Sequence, residues 1–237
     1  MNKNLETLQK YIYEAKNIVF FGGAGVSTES GIPDFRSASG IFTKNLSAEK
    51  IVSHTYFYSH TKEFYDFYKN KMMFLSAKPN ACHQKLAEME QSGKKITIIT
   101  QNIDGLHQIA GSKNVIELHG SIHRNYCTSC HKFFSAECIK NSTSIPHCDE
   151  CGSIIKPDVV LYEEELDMNN IISAIDAIEK ADLLIIGGTS LKVYPAASFI
   201  KYYRGNKKVY INLNDNPLSL DYLYINDKIG SVFKETK

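Results

Sequence analysis

Apolar positions Leu5, Leu8, Ile12 and Ala15 recur at three- and four-residue spacing with polar residues between them. That period is helical, so residues 2–16 are expected to form an amphipathic helix. Ile18 to Phe21 is an unbroken apolar run that stops at Gly22-Gly23, which predicts a buried strand ending in a loop. Similar runs follow at Ile96 to Thr100, Val115 to Leu118, Val159 to Tyr162, Leu183 to Ile186 and Val209 to Leu213. Helical patterns at about 80–91, 168–180 and 195–204 separate several of them, with Asn80 after Pro79 as the expected N-cap of the first. Buried strands alternating with helices argue for an α/β fold in which a parallel sheet is covered by helices on both faces.

Two stretches break the rhythm. Residues 39–76 are rich in aromatics (Phe57, Tyr58, Phe64, Tyr65, Phe67, Tyr68, Phe74) and look like inserted helices. Residues 123–155 carry five of the six cysteines and little periodicity. Both are expected to leave the sheet and together build a smaller second lobe.

Composition narrows the class. A chain of 237 residues can hold one large core, or one core with an appended lobe. Twenty-seven basic residues against 26 acidic ones leave a formal charge of +1, which argues against a dedicated nucleic-acid binder. Met1 to Lys16 has no apolar stretch like that of a signal peptide, and no apolar run is long enough to span a bilayer. The expectation is a cytoplasmic protein with no membrane partner. In that setting, paired cysteines point to metal rather than to disulfides.

Cys127-Thr-Ser-Cys130 and Cys148-Asp-Glu-Cys151 are two C-x-x-C knuckles separated by seventeen residues. Each brings two thiolates to one ion, and four sulfurs complete a closed, tetrahedral, structural zinc site. The competing reading is two redox-active pairs or unliganded thiols. With all four positions filled by protein, zinc would have no place to activate water. Cys82 and Cys138 stand outside the pattern and read as ordinary buried or surface cysteines.

Gly22-Gly23-Ala24-Gly25-Val26-Ser27 follows the first buried strand. Such a loop lets backbone N–H groups approach a pyrophosphate, although no glycine sits three residues after Gly25, and a tight strand-to-helix turn explains it equally well. The longer run resembles a family signature: Gly23-Ala24-Gly25-Val26-Ser27-Thr28-Glu29-Ser30-Gly31-Ile32-Pro33-Asp34-Phe35-Arg36 is similar to that of the sirtuins. Thr100-Gln101-Asn102-Ile103-Asp104-Gly105-Leu106-His107 and Leu118-His119-Gly120 match the family's second and third signatures, and the knuckles follow in the family's order. Gly187-Gly188-Thr189-Ser190-Leu191 and Ile211-Asn212 resemble its later cofactor-binding elements. The resemblance spans about residues 15 to 230 and is of the bacterial type.

What the resemblance implies is a Rossmann-like NAD-binding domain (1–38, 77–122 and 156–237), with a helical insertion (39–76) and a zinc ribbon (123–155) forming the small domain. It implies an NAD-dependent protein-lysine deacetylase acting on acetylated proteins or peptides. The acyl oxygen attacks the nicotinamide ribose, nicotinamide leaves, and the acetyl group departs as O-acetyl-ADP-ribose. By the same resemblance His119 is the catalytic base and Asn102 orients the ribose or a water. Histidine suits that task because its ordinary pKa near 6.5 lets it accept a proton at neutral pH. Ala24 and Gly25 would lie against the pyrophosphate with Thr28 nearby, and Phe35 and Arg36 would close over the ribose. Gln101, Asn102, Ile103 and Asp104 would line the nicotinamide pocket with His119. Thr189, Ser190, Asn212 and Ile229 would hold the adenosine half. Val159, Val160, Leu161 and Tyr162 would pair with the substrate peptide as an added strand. His83 and His107 also match family positions and read as structural hydrogen-bonding residues.

Two departures concern the substrate. Tyr65 and Tyr68 fall where sirtuins that prefer acidic acyl groups carry tyrosine and arginine, so the missing arginine favours a short uncharged acyl group. Glu163 stands where the family has glycine, and reads as a solvated carboxylate of the run Glu163 to Glu165, or as a group that alters peptide registration. The rival functions are protein ADP-ribosyltransferase or NAD hydrolase on the same fold, and a non-enzymatic zinc-ribbon module that senses NAD.

Overall fold

The computed structural model describes residues 3–35, 40–41, 48–213 and 221–236. Six parallel strands form one sheet, in spatial order β3 (Val115–Glu117), β2 (Lys95–Thr100), β1 (Asn17–Gly22), β7 (Leu183–Gly187), β8 (Lys208–Ile211) and β9 (Leu223–Ile225). Alternation along each strand divides its side chains between two cores. Ile18, Phe20, Ile96, Ile98 and Ile185 meet α1 (Lys3–Glu14), α5 (Ala81–Gln91) and α9 (Ile229–Glu235) on one face. Val19, Phe21, Ile99, Leu184 and Ile186 meet α8 (Met168–Glu179) and the 3₁₀ segment Ala196–Tyr202 on the other. Both faces being covered is why these strands read as continuous apolar runs. Asn80 caps α5 as expected: its Oδ1 accepts from Cys82 N at 3.0 Å, and His83 Nδ1 accepts from Asn80 N at 3.3 Å.

A second, antiparallel sheet has the order β5 (Phe133–Ser135), β4 (Gly120–Cys127), β6 (Ile155–Val159). Its side chains share a third cluster with α3 (His54–Ser59) and α4 (Thr61–Lys71), in which Phe57, Phe64, Tyr65 and Tyr68 pack against Ile122, Cys127, Ile139 and Ile155. The aromatics of the first excursion and the cysteines of the second therefore fold onto each other. Phe57, Phe64 and Tyr65 stack edge to face at 5.0 to 6.0 Å between centroids, a favourable geometry for ring quadrupoles.

The expectation that Val159 to Tyr162 forms a buried strand of the main sheet is corrected. β6 ends at Val159, pairs antiparallel with β4, and buries alternate residues only. The apolar run straddles the end of a half-buried strand, which periodicity over four residues does not separate from a fully buried one. The run at Val209 also stops early, at Ile211, and the helix expected at 195–204 is a 3₁₀ segment. β9 and α9 were not foreseen, since three residues of strand give too short a pattern.

Candidate active site

The chain runs from β1 outward to β2 and β3, then crosses back to β7 beside β1 and on to β8 and β9. The loops leaving β1 and β7 thus diverge at the point where the strand order reverses, which opens a crevice at the carboxyl ends. Gly23 N donates to Gly187 O at 3.1 Å and Gly25 N to Gly188 O at 2.8 Å, so the two loops are in backbone contact. No side chain fits between them: a Cβ on Gly25 would stand 2.8 Å from Gly188 Cα, and one on Gly188 (φ +59°) 2.3 Å from Val26 N. The floor of the crevice is bare peptide, suited to a pyrophosphate.

Polar side chains gather around this floor. Asn102 Nδ2 donates to Ser27 Oγ at 3.1 Å, and Ser27 Oγ donates to Asp104 Oδ2 at 2.6 Å. Leu106 N donates to the other Asp104 oxygen at 2.9 Å. Burial raises the Asp104 carboxyl, against the Ser27 hydroxyl and the Leu106 N–H, which favour its charged form. Ser27 is the link that sequence reasoning left out, although it lies inside the quoted signature. On the β7 side, Gln101 Nε2 donates to Thr189 Oγ1 at 3.3 Å, and Asn212 Nδ2 donates to Thr189 O at 3.1 Å. Thr189 is buried, while Ser190 and Asn212 are half-buried.

His119 follows β3 and stands beside this network. Its Nδ1 lies 2.9 Å from Gln101 O. A carbonyl oxygen only accepts, so the proton is on Nδ1 and the Nε2 lone pair is left as a base. Burial holds the His119 pKa below its ordinary 6.5, with the Gln101 carbonyl opposing. The ring is therefore neutral at pH 7.

The four cysteine sulfurs of the knuckles lie within 4.8 Å of one another, with Cys127 and Cys151 at 3.3 Å and Cys130 and Cys148 at 3.6 Å. Sulfurs around tetrahedral zinc stand about 3.8 Å apart given Zn–S bonds of ~2.3 Å. The donor set fits zinc. His131 N donates to Cys127 O at 3.1 Å and Gly152 N to Cys148 O at 2.9 Å, so both knuckles close with the same turn. Lys132 Nζ reaches Asp149 and Glu150 at 2.9 Å each and ties one knuckle to the other.

The sequence model of the Sir2 family matches residues 23–195. The chain belongs to the Sir2 family. It is 56% identical over 239 residues to an NAD-dependent protein deacetylase of Clostridium acetobutylicum, covering 97% of this chain and 96% of the relative. A Clostridium perfringens protein of the same description is also 56% identical, with 98% of each chain covered. Among solved structures, a Sir2 protein with a deacetylated p53 peptide and 3′-O-acetyl ADP ribose superposes with a TM-score of 0.90 at 39% identity, covering 97% of this chain and 96% of that one. A Sir2–p53 peptide–NAD+ structure superposes at 0.86, also at 39% identity, covering 97% and 95%.

Within this Sir2 chain, hydrogen bonds join Gln101 to Thr189 and to His119, Asn212 to Thr189, and Asn102 through Ser27 to Asp104, beside the Gly25–Gly188 contact. Ala24 and Ser190 are half-buried next to that contact in the chain, and Ile103 packs against the second lobe. Thr28 is exposed, its hydroxyl donating to Gly25 O at 3.0 Å. Phe35 is half-buried at the edge of its loop, and Arg36 lies outside the described residues. The Ile229 side chain is buried in the sheet core, where a Cβ on Gly187 would stand 2.1 Å from its Cδ1. Only its backbone, at the start of α9, can face a ligand. Val160 N donates to His119 O at 3.0 Å, Leu161 N to Glu164 Oε2 at 2.8 Å and Tyr162 N to Val52 O at 3.0 Å. The segment Val159 to Tyr162 is thus already laced to its surroundings, with Tyr162 alone of the four exposed.

Three readings of the Sir2 sequence gain detail. Tyr65 and Tyr68 are fully buried in the aromatic cluster, Tyr65 OH donating to Ile155 O. His107 is buried, but neither ring nitrogen has a hydrogen-bond partner among the described residues. It packs against Phe20 and His83 instead, at 5.9 and 4.6 Å between centroids. Glu163 is exposed, as a solvated carboxylate is, and it is also bonded to the chain. It adopts φ +75°, the left-handed conformation that favours glycine, and its Oε2 accepts from Thr55 N at 2.8 Å. The Thr55 N–H holds the Glu163 carboxyl below the usual glutamate range, and the side chain binds the start of α3 to the end of the Val159–Tyr162 segment.

Proposed function

We propose that this chain is an NAD-dependent protein-lysine deacetylase that transfers the acetyl group of acetyl-lysine to ADP-ribose, releasing nicotinamide and O-acetyl-ADP-ribose. The observation that carries the reading is His119: a neutral imidazole, proton fixed on Nδ1 by Gln101 O at 2.9 Å, beside the Asn102–Ser27–Asp104 chain. The relatives described as deacetylases support the same activity. NAD, when bound, supplies the ribose carbon that takes the acyl oxygen. The chain's own residues divide the remaining work. Ala24, Gly25 and Thr28 lie along the pyrophosphate, and Phe35 belongs to the ribose end; Arg36, which the resemblance assigns beside it, lies outside the described residues. Gln101, Asn102, Ile103 and Asp104 hold the nicotinamide end, while Thr189, Ser190, Asn212 and the Ile229 backbone hold the adenosine end. His119 Nε2 receives the proton from a ribose hydroxyl, and Asn102 orients the group that gives it. Burial keeps water from competing for that proton.

The peptide passes along Val159, Val160, Leu161 and Tyr162; because the N–H groups of the last three are already donated to His119 O, Glu164 Oε2 and Val52 O, strand addition there requires those bonds to be exchanged. Cys127, Cys130, Cys148 and Cys151 hold one structural zinc, which orders a lobe of short elements and takes no part in the chemistry. We read 1–38, 77–122 and 156–237 as the cofactor domain, with 39–76 and 123–155 as the small domain. Among the described residues no helix is long and apolar enough to cross a membrane, in keeping with action on protein substrates in the cytoplasm. The deciding experiment is mass spectrometry of an acetyl-lysine peptide incubated with the purified protein, with and without NAD. Deacetylated peptide, nicotinamide and O-acetyl-ADP-ribose appearing only with NAD is the expected result. NAD consumption with the acetyl group untouched would replace this reading with a transferase or hydrolase.

A further inference from the structure

β4 begins directly after His119, and its pairing with β6 is irregular. Gly120 pairs with Val159, and the next pair is Asn125 with Pro157. Four residues, 121 to 124, therefore stand opposite one, Asp158. Bulges of this kind re-aim side chains next to active sites, and each of the last three residues here reaches a different part of the crevice wall. Ile122 N donates to Ile103 O at 2.9 Å. His123 Nε2 lies 2.9 Å from Asp104 O and so carries the proton it donates. Arg124 Nη1 donates to Glu117 Oε2 and its Nε to Asp158 Oδ2, both at 2.7 Å. Glu117 is almost fully buried, with Gln108 Nε2 on its other oxygen at 2.8 Å. Asn170 Nδ2 donates to the Glu117 carbonyl at 3.2 Å.

We propose that Arg124 is a positioning residue that sets His119 against both the nicotinamide loop and the peptide-binding segment, because its guanidinium ties Glu117, two residues before His119, to Asp158, two residues before Val160. The proposal rests on the deacetylase reading above. The guanidinium meets the two carboxylates from separate nitrogens of one rigid plane, Nη1 and Nε, a fixed geometry that the single nitrogen of a lysine does not reproduce. Only the six residues 118 to 123 separate Glu117 from Arg124, and Gly120 leaves that turn no slack, since a Cβ there would stand 1.9 Å from Asp158 O. Moving Glu117 relative to Asp158 therefore moves the His119 ring relative to Gln101 O and the bound ribose. Arg124 itself touches neither cofactor nor substrate.

The test compares Arg124→Lys, Arg124→Met and Asp158→Asn with the wild-type protein. The readouts are steady-state deacetylation of an acetyl-lysine peptide and exchange of labelled nicotinamide into NAD, which precedes the proton transfer at His119. Asp158→Asn keeps the buried Glu117 paired and guards against a variant that fails to fold. The expected result is a fall in deacetylation kcat of about tenfold in Arg124→Met, as misplacing a catalytic group by less than 1 Å would give. The KM for NAD and nicotinamide exchange should stay within about twofold, while Arg124→Lys and Asp158→Asn should fall between. The Arg124→Met and Asp158→Asn double variant should be no slower than the worse single, because both break one bridge. Folded variants with unchanged kcat, or with exchange falling in step with deacetylation, would overturn the proposal. A wild-type protein that deacetylates nothing would instead sink the deacetylase reading on which it stands.

Discussion

Acid should unfold this protein through two buried histidines. His83 and His107 lie with their rings 4.6 Å apart between α5 and the loop after β2. His83 Nδ1 accepts from Asn80 N, so charging that ring removes half of a capping box. His107 has no hydrogen-bond partner among the described residues at either nitrogen. Burial pushes the His83 pKa down from 6.5 to about 4, and burial with the nearby His83 pushes His107 well below 6.5. Above pH 6.5 both rings are neutral in the folded and the unfolded chain, and stability does not depend on them. Below it, the unfolded chain binds protons that the folded chain refuses, so stability falls until the folded pKa is reached. At pH 5 the His83 ring alone has removed about 2 kcal/mol, a sizeable part of the usual 5–15 kcal/mol, and His107 adds loss of the same sign. Urea denaturation between pH 7.5 and 5 measures this directly. His119 adds loss of the same sign, so the His107→Phe variant isolates the share of His107: its loss on acidification should be smaller than that of the wild type. A flat stability profile down to pH 5.5, or an identical fall in His107→Phe, would refute the reasoning.

Removing the base by His119→Ala should leave folding and metal content intact and lower deacetylation by at least ~10²-fold. In the wild type, the acid limb of kcat/KM that belongs to this ring should lie below pH 6.5, since burial lowers its pKa. Cys127→Ser should release the metal, read by elemental analysis, and lower the melting temperature of a lobe that zinc binding helps to fold. Gly188→Ala forces a Cβ to within 2.3 Å of Val26 N, and should weaken NAD binding by tenfold or more in calorimetry while zinc content stays at one per chain. Glu163→Gly exchanges a left-handed glutamate for glycine but deletes the bond to Thr55 N. Relief of the left-handed strain and loss of the exposed bond act in opposite directions, so chemical denaturation should show little change in stability.

The sequence by itself determined the parallel sheet, the crevice at its carboxyl edge and the metal cluster, for a local reason in each case. Strands covered on both faces must be apolar throughout, as Ile18 to Phe21 and Leu183 to Ile186 are. A loop pressed against another backbone must be glycine, as at Gly25, and an ion needs paired thiolates at close spacing. The tertiary structure alone decided what depends on neighbours distant along the chain. Val159 to Tyr162 reads as one apolar strand, yet burial on one face only places β6 in the second sheet. Tyr65 and Tyr68 pack against Ile122, Cys127 and Ile155 of the second sheet, which their spacing does not reveal. Glu163 is exposed, but its bond to Thr55 N, 108 residues away, exists only because α3 is packed beside it. Arg124 carries no short-range pattern at all, and the signatures that contain Ser27 and His107 do not show what either side chain meets. Hydrophobic period and turn chemistry are written within ten residues or so, whereas a hydrogen bond or a buried pair exists only once two remote segments have been packed together.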